Sequence, residues 1–148
     1  MIHLLTPDQI SPFWPAIKHA VKIANRLEDV DEARYTTHLL PSLLNYKAQC
    51  WVGVKEVGGS EVVYGLGITT IEETPLGEVY LLLHTLYALS PIPDEDMAAF
   101  VPLLEKFCRN SGCTKMVCYT YNDRLVETFI SQGFSQDVSL WVKQLGGG

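Results

Sequence analysis

The run from Val79 to Leu89 is almost wholly apolar and follows the punctuation Thr74-Pro75-Leu76-Gly77. Such a segment is a strand for the centre of a sheet, and the reading expects it to be buried on both faces. It is far too short for the roughly 20 apolar residues that cross a bilayer. A chain built around it must supply neighbouring strands and a covering layer.

The rest of the chain supplies them in order. Ile2 to Leu5 is a short apolar run that ends at Thr6-Pro7, a first strand. Ile10, Phe13, Trp14, Ile17, Val21 and Ala24 recur at steps of three and four, the stripe of an amphipathic helix. Thr6 and Ser11 each precede a proline and each suit a cap; Ser11 is the expected start, because Pro15 belongs early in a helix. The acidic stretch Glu28 to Glu32 reads as a solvated connection, and Leu39, Leu40, Leu43 and Leu44 mark a second helix that stops at Asn45. Ala48 to Val57 and Val62 to Ile71 form a hairpin across Gly58-Gly59-Ser60.

Beyond the central run, Met97, Phe100, Val101, Leu104, Phe107 and Cys108 give a third helix that contains Pro102 and ends near Gly112. Met116 to Tyr121 alternates like a strand, and Asn122 caps a helix whose apolar face is Leu125, Val126, Phe129 and Ile130. Val138 to Val142 is expected to be the last strand, and Gly146-Gly147-Gly148 a flexible tail after a single domain over 1–145. The order is β-α-α-β-β-β-α-β-α-β, an α/β chain with a mixed sheet: antiparallel hairpins first, a β-α-β crossover later.

Charge and cysteine usage narrow the function classes. The 148 residues carry 11 Lys+Arg against 17 Asp+Glu, a net charge of −6. With no basic patch in view, the surface repels phosphate, so nucleic acid is not the expected partner. The start Met1-Ile2-His3-Leu4-Leu5 shows no secretory signal, which leads to an expected cytoplasmic location without a membrane anchor. Cys50, Cys108, Cys113 and Cys118 form no C-x-x-C pair and are read as free, inert thiols, with no metal site.

The element order, with Glu127-Thr128-Phe129-Ile130-Ser131-Gln132-Gly133-Phe134, resembles the GCN5-related N-acetyltransferase (GNAT) superfamily, whose fourth helix commonly ends in a pattern like L-Y-x-x-x-G-F. The resemblance spans nearly the whole chain. It implies acetyl-CoA in a V-shaped opening between two splayed parallel strands, here Val79 to Leu89 and Met116 to Tyr121. It also implies acyl transfer from a thioester to an amine, which needs a deprotonated amine, a polarised carbonyl and a proton for the leaving thiolate.

Two parts of that machinery are missing from the sequence. The family's pyrophosphate loop resembles R/Q-x-x-G-x-G/A and opens the third helix, where backbone N–H groups meet phosphate. Counted from Pro91, its first position falls on Asp94, its first glycine on Met97 and its last small residue on Ala99. Asp94, Glu95 and Asp96 place three carboxylates where the phosphates would sit, yet they are ordinary first-turn acids for a helix. The family's thiolate-protonating tyrosine corresponds to Phe129, which has no proton to give.

The residues left to carry chemistry are few. His84, inside the central strand, is the candidate base, with a hydrogen-bonded core histidine as its plainer reading. Tyr119, or Tyr121, is the candidate acid. Tyr87, Leu89 and Ala99 are the candidate cofactor contacts that the resemblance implies. Glu72, Glu73 and Glu78 flank a turn, where they are solvated acids or face an amine. Trp14, Trp51, Tyr80, Tyr87 and Trp141 are read as packing or interface aromatics.

A second, looser resemblance is to small GNAT-like proteins encoded among phage structural and packaging genes. It rests on Leu4-Leu5-Thr6-Pro7, Cys50-Trp51-Val52, and Pro102-Leu103-Leu104-Glu105 leading to Gly112-Cys113. Such relatives also tend to lack the glycine loop. Two functions therefore stand: a GNAT-fold protein with a degenerate cofactor site that binds or assembles with a protein partner or its own copies, in a host cell or virion; or an atypical acetyl-CoA-dependent N-acetyltransferase.

Overall fold

The computed structural model describes residues 1–89 and 92–146. The expectation for the glycine tail falls partly on 147 and 148, and the count from Pro91 begins on a residue that also lies outside the described ones. The elements are β1 (Ile2–Leu4), α1 (Pro7–Ala24), a 3-10 turn (Asp29–Asp31), α2 (Glu32–Leu44), β2 (Ala48–Val57), β3 (Ser60–Glu73), β4 (Val79–Ala88), α3 (Asp94–Asn110), β5 (Lys115–Cys118) and α4 (Asp123–Ser131). The five strands form one sheet in sequence order, antiparallel except for the β4–β5 pair, which is parallel. Among the described residues no helix is long and apolar enough to cross a membrane.

Helix α1 begins earlier than the sequence suggests. Thr6, not Ser11, is its N-cap: Gln9 Oε1 accepts from the Thr6 N–H at 2.9 Å, and Pro7 takes the first position, where its missing N–H costs nothing. Pro12 and Pro15 lie inside the helix. Their lost donors are offset by the stripe of Ile10, Ile17, Ala20 and Val21, all buried against the sheet. The acidic connection is ordered rather than merely solvated, with Asp29 paired to Lys22 and Glu32 to Lys18 at 2.9 Å. Glu32 opens α2, so this helix gains two turns over the expected leucine cluster.

Gly58 and Gly59, at φ +59° and +82°, close the β2–β3 hairpin as a two-residue turn between Val57 and Ser60. Burial on both faces falls on β2, where Ala48 to Val54 are all buried. In β4 buried residues alternate with half-buried ones, which corrects the expectation for this strand. The reason is position: β2 lies under both helix layers, whereas β4 stands next to the short last strand of the sheet.

Two cores result. One face of the sheet packs Cys50, Val52, Leu66 and Ile68 under α1 and α2; the other packs Trp51, Leu81 and Leu83 under α3 and α4 through Phe100, Leu104 and Phe129. The one buried indole of the second core donates from Trp51 Nε1 to Thr69 Oγ1, which donates to Gln49 Oε1, both at 2.9 Å. That chain satisfies three buried polar groups without water.

The expected last strand, Val138 to Val142, is absent. These residues have no ladder partner and are exposed, Trp141 at 90 %. Their apolar alternation fits a strand, but a strand exists only through hydrogen bonds to a neighbour, and β5 ends the sheet unpaired on its outer side. The four cysteines are free thiols. Burial pushes Cys50 up to about 12 and Cys108 and Cys118 up to about 11, so all three stay protonated near neutral pH.

Candidate active site at the parted strands

The parallel β4–β5 ladder runs from Tyr80↔Lys115 to Leu83↔Cys118 and stops. Tyr119 N–H still reaches Leu83 O at 3.4 Å; beyond it β4 continues to Ala88 with no partner on that side among the described residues. A cleft of about 570 Å³ opens there. Its walls are Leu86 to Ala88 of β4, Thr120 to Leu125 at the entry to α4, Ile92, and Ile23, Ala24 and Arg26 from the end of α1.

One residue decides which side chains this part of β4 presents. Ile68 pairs with Thr85 but Thr69 pairs with Leu83, so His84 is an extra residue, a β-bulge. Leu81 and Leu83 point into the core under α3 and α4. After the bulge the faces exchange: Thr85 Oγ1 accepts from Asn25 Nδ2 of α1 at 2.8 Å, and Tyr87 packs on the α1–α2 core. The Tyr87 hydroxyl lies 3.2 Å from His19 Nε2, and the two rings meet edge to face.

His84 itself is half-buried, with Nδ1 engaged by Thr85 Oγ1 at 2.9 Å. Burial lowers its pKa below 6.5, against a smaller upward pull from the Glu72 carboxylate, so the ring is neutral at pH 7. Only Nε2 is left to meet a ligand, and His84 is not among the cleft-lining residues. Tyr119 is half-exposed outside the cleft, while Tyr121 lines it, with the Arg26 guanidinium 4.4 Å over its ring.

Of the candidate cofactor contacts, Tyr87 lies in the cleft wall. Leu89 is half-exposed beyond it, its N–H on Tyr64 O at 2.7 Å, and Ala99 is on the exposed side of α3. Glu78 pairs with Lys115 at 2.7 Å and Glu72 accepts from Thr70 at 2.9 Å, so both have partners on the sheet. Phe129 is buried against Phe134. Arg26 and Asn25 are the residues that sequence reading missed. Their signal was slight: two polar residues just past the last apolar position of the α1 stripe.

Helix α3 begins just after Ile92 of the cleft wall. Pro93 is the N-cap and makes no side-chain cap, and Asp94, Glu95 and Asp96 form the first turn. Asp96 turns inward and accepts from the Tyr64 hydroxyl at 2.5 Å. Tyr64 is buried, its ring lies over Gly53, and burial together with the Asp96 carboxylate pushes its pKa up. Met97, at the loop's first glycine position, is a core residue.

Among solved structures, a probable acetyltransferase superposes with a TM-score of 0.72 at 12 % identity, over 100 % of this chain and 98 % of that one. The chain has the GNAT acetyltransferase fold. A predicted acetyltransferase with acetyl-CoA from Clostridium acetobutylicum reaches 0.72 at 14 % identity, covering 98 % and 95 % of the two chains. A ribosomal-protein-alanine N-acetyltransferase from Brucella melitensis biovar Abortus 2308 reaches 0.66 at 15 %, covering 98 % and 99 %. No protein-family model and no curated protein matches the chain.

Acetyl-CoA is the ligand this GNAT fold implies. The cleft beside β4 has room for a slender arm. At α3, Asp94 and Glu95 are exposed acids of the first turn, while Asp96 is turned to Tyr64.

Proposed function

We propose that the protein is a GNAT-fold module that binds or assembles with other proteins through the parted strands, and that it does not turn over acetyl-CoA. The observation that carries this reading is the first turn of α3, Asp94-Glu95-Asp96 behind Pro93, with Asp96 committed to Tyr64. Each like charge near a phosphate costs on the order of 1 kcal/mol even in a high-dielectric setting. The burial of Phe129, which leaves α4 without a proton donor at that place, supports the same reading. So does the resemblance to GNAT-like proteins among phage structural genes, which lack the same loop; a virion or an infected cell is the setting it suggests.

Calorimetric titration of acetyl-CoA and CoA at low salt tests this directly. The wild type is expected to give no heat of binding at micromolar concentrations, and Asp94→Arg with Glu95→Gly to gain affinity, both positions being exposed. Micromolar wild-type binding would overturn the proposal and favour an N-acetyltransferase. That second reading has the open cleft in its favour, and predicts thiol release with an amine acceptor.

A further inference from the structure

We infer that the parted-strand cleft takes an extended acidic segment of a protein partner, added as a strand along the free edge of β4 with a carboxylate held by Arg26 and Arg124. The inference rests on the reading of the chain as a binding module and names the chemistry of what it binds.

The first support is the backbone. Peptide groups alternate sides along a strand, and Leu89 N–H points to Tyr64 O on β3. Tyr87 and Thr85 share that side, so the N–H and C=O of Leu86 and Ala88 face the side where β5 has ended. Both residues line the cleft. An unpaired edge inside a cleft of about 570 Å³ is a template for one short extended peptide.

The second support is charge. The chain is acidic overall, with a net charge of −6, yet its cleft wall carries two guanidinium groups. Neither Arg26 nor Arg124 is in an ion pair among the described residues, whereas Lys18, Lys22, Arg34, Arg109 and Lys115 are. Asp123 is the one carboxylate in the same wall and lies beyond ion-pair distance of both. Arg26 also holds a left-handed backbone, φ +52°, just past the end of α1, and its guanidinium lies over the Tyr121 ring. That conformation closes α1, with the Arg26 N–H on Ile23 O and the Leu27 N–H on Lys22 O, and the stack on Tyr121 holds the guanidinium beside the cleft. Guanidinium offers a carboxylate two parallel N–H donors. Asp94 and Glu95 follow Ile92 of the cleft wall closely and set the opposite sign at the α3 end, which orients the peptide with its acid toward Arg26.

Selection of random octapeptides on the immobilised wild-type protein tests this. Asp or Glu is expected to be enriched at least 10-fold at one position, within a β-prone sequence. The double variant Arg26→Glu with Arg124→Glu should weaken the selected peptide at least 10-fold while leaving the melting temperature unchanged, since both side chains are exposed. N-methylation of the peptide at alternate residues should abolish binding, and at the intervening ones should not. No enrichment, enrichment without acids, or affinity unchanged in the double variant overturns the inference. Acetyl-CoA is titrated in parallel. If it binds and displaces the peptide, the cleft inference stands and the non-catalytic reading falls; if neither binds, only the inference falls.

Discussion

At the residue scale, Gly53 and His84 have the sharpest consequences. A Cβ on Gly53 would come 2.5 Å from the Tyr64 ring at its hydroxyl end, the end that Asp96 holds in place. Gly53→Ala is therefore expected to lower stability by about 1–3 kcal/mol, as overpacking of a closed core does. Urea unfolding checks it, and Tyr64→Ala in the same chain should remove most of the additional loss. For His84 the sign follows from burial. The folded pKa lies below the unfolded value of 6.5, so the unfolded chain binds the proton first as pH falls. Stability is complete above about pH 6.5 and declines from there toward the depressed folded value. Denaturant midpoints at pH 7.5 and 5.5 should show that loss, and His84→Asn should reduce it.

At the element scale, an aromatic inside the sheet's core and one on the stretch after α4 have opposite weights. Trp51 is buried and donates to Thr69, so Trp51→Phe leaves that hydroxyl one partner short and should cost about 1–3 kcal/mol. Trp141 is 90 % exposed, and Trp141→Ser should change stability by no more than about 0.5 kcal/mol. Thermal unfolding of the two variants compares them. Periodicity made the helices and the hairpin legible: Ile10 to Ala24 gave α1 its stripe, and Gly58-Gly59 gave the turn. It failed where tertiary partners decide. Val138 to Val142 has the alternation of a strand without a neighbour, and Val79 to Leu89 has the composition of a strand buried on both faces but lies near the end of the sheet. The candidate site was half legible. The acids that open α3 and the burial of Met97 could be read from the sequence, since a helix start and its apolar stripe are local patterns. The bulge at His84, the pairing of Asn25 with Thr85 and the stack of Arg26 on Tyr121 join distant parts of the chain and leave no local trace.

At the scale of the whole molecule, a sheet in sequence order with helices on both faces leaves both lateral edges to loops and solvent. The β1 edge is a three-residue strand, too short to recruit much. The other edge is β5, and the sequence that follows α4 exposes Val138, Leu140, Trp141, Val142 and Leu145. What holds copies of such a molecule apart in solution is their shared negative charge, −6 at pH 7 with a pI near 5.1. Light scattering on a pH series is expected to show growing particles as the pH approaches 5.1, and concentrated salt at pH 7 should move the onset upward by screening that repulsion. Removal of residues 138–145 should suppress both effects. The exposed apolar stretch after α4 thus makes the colloidal behaviour of this protein, its shelf life and the concentration at which it can be kept, a matter of where its sheet ends as much as of its net charge.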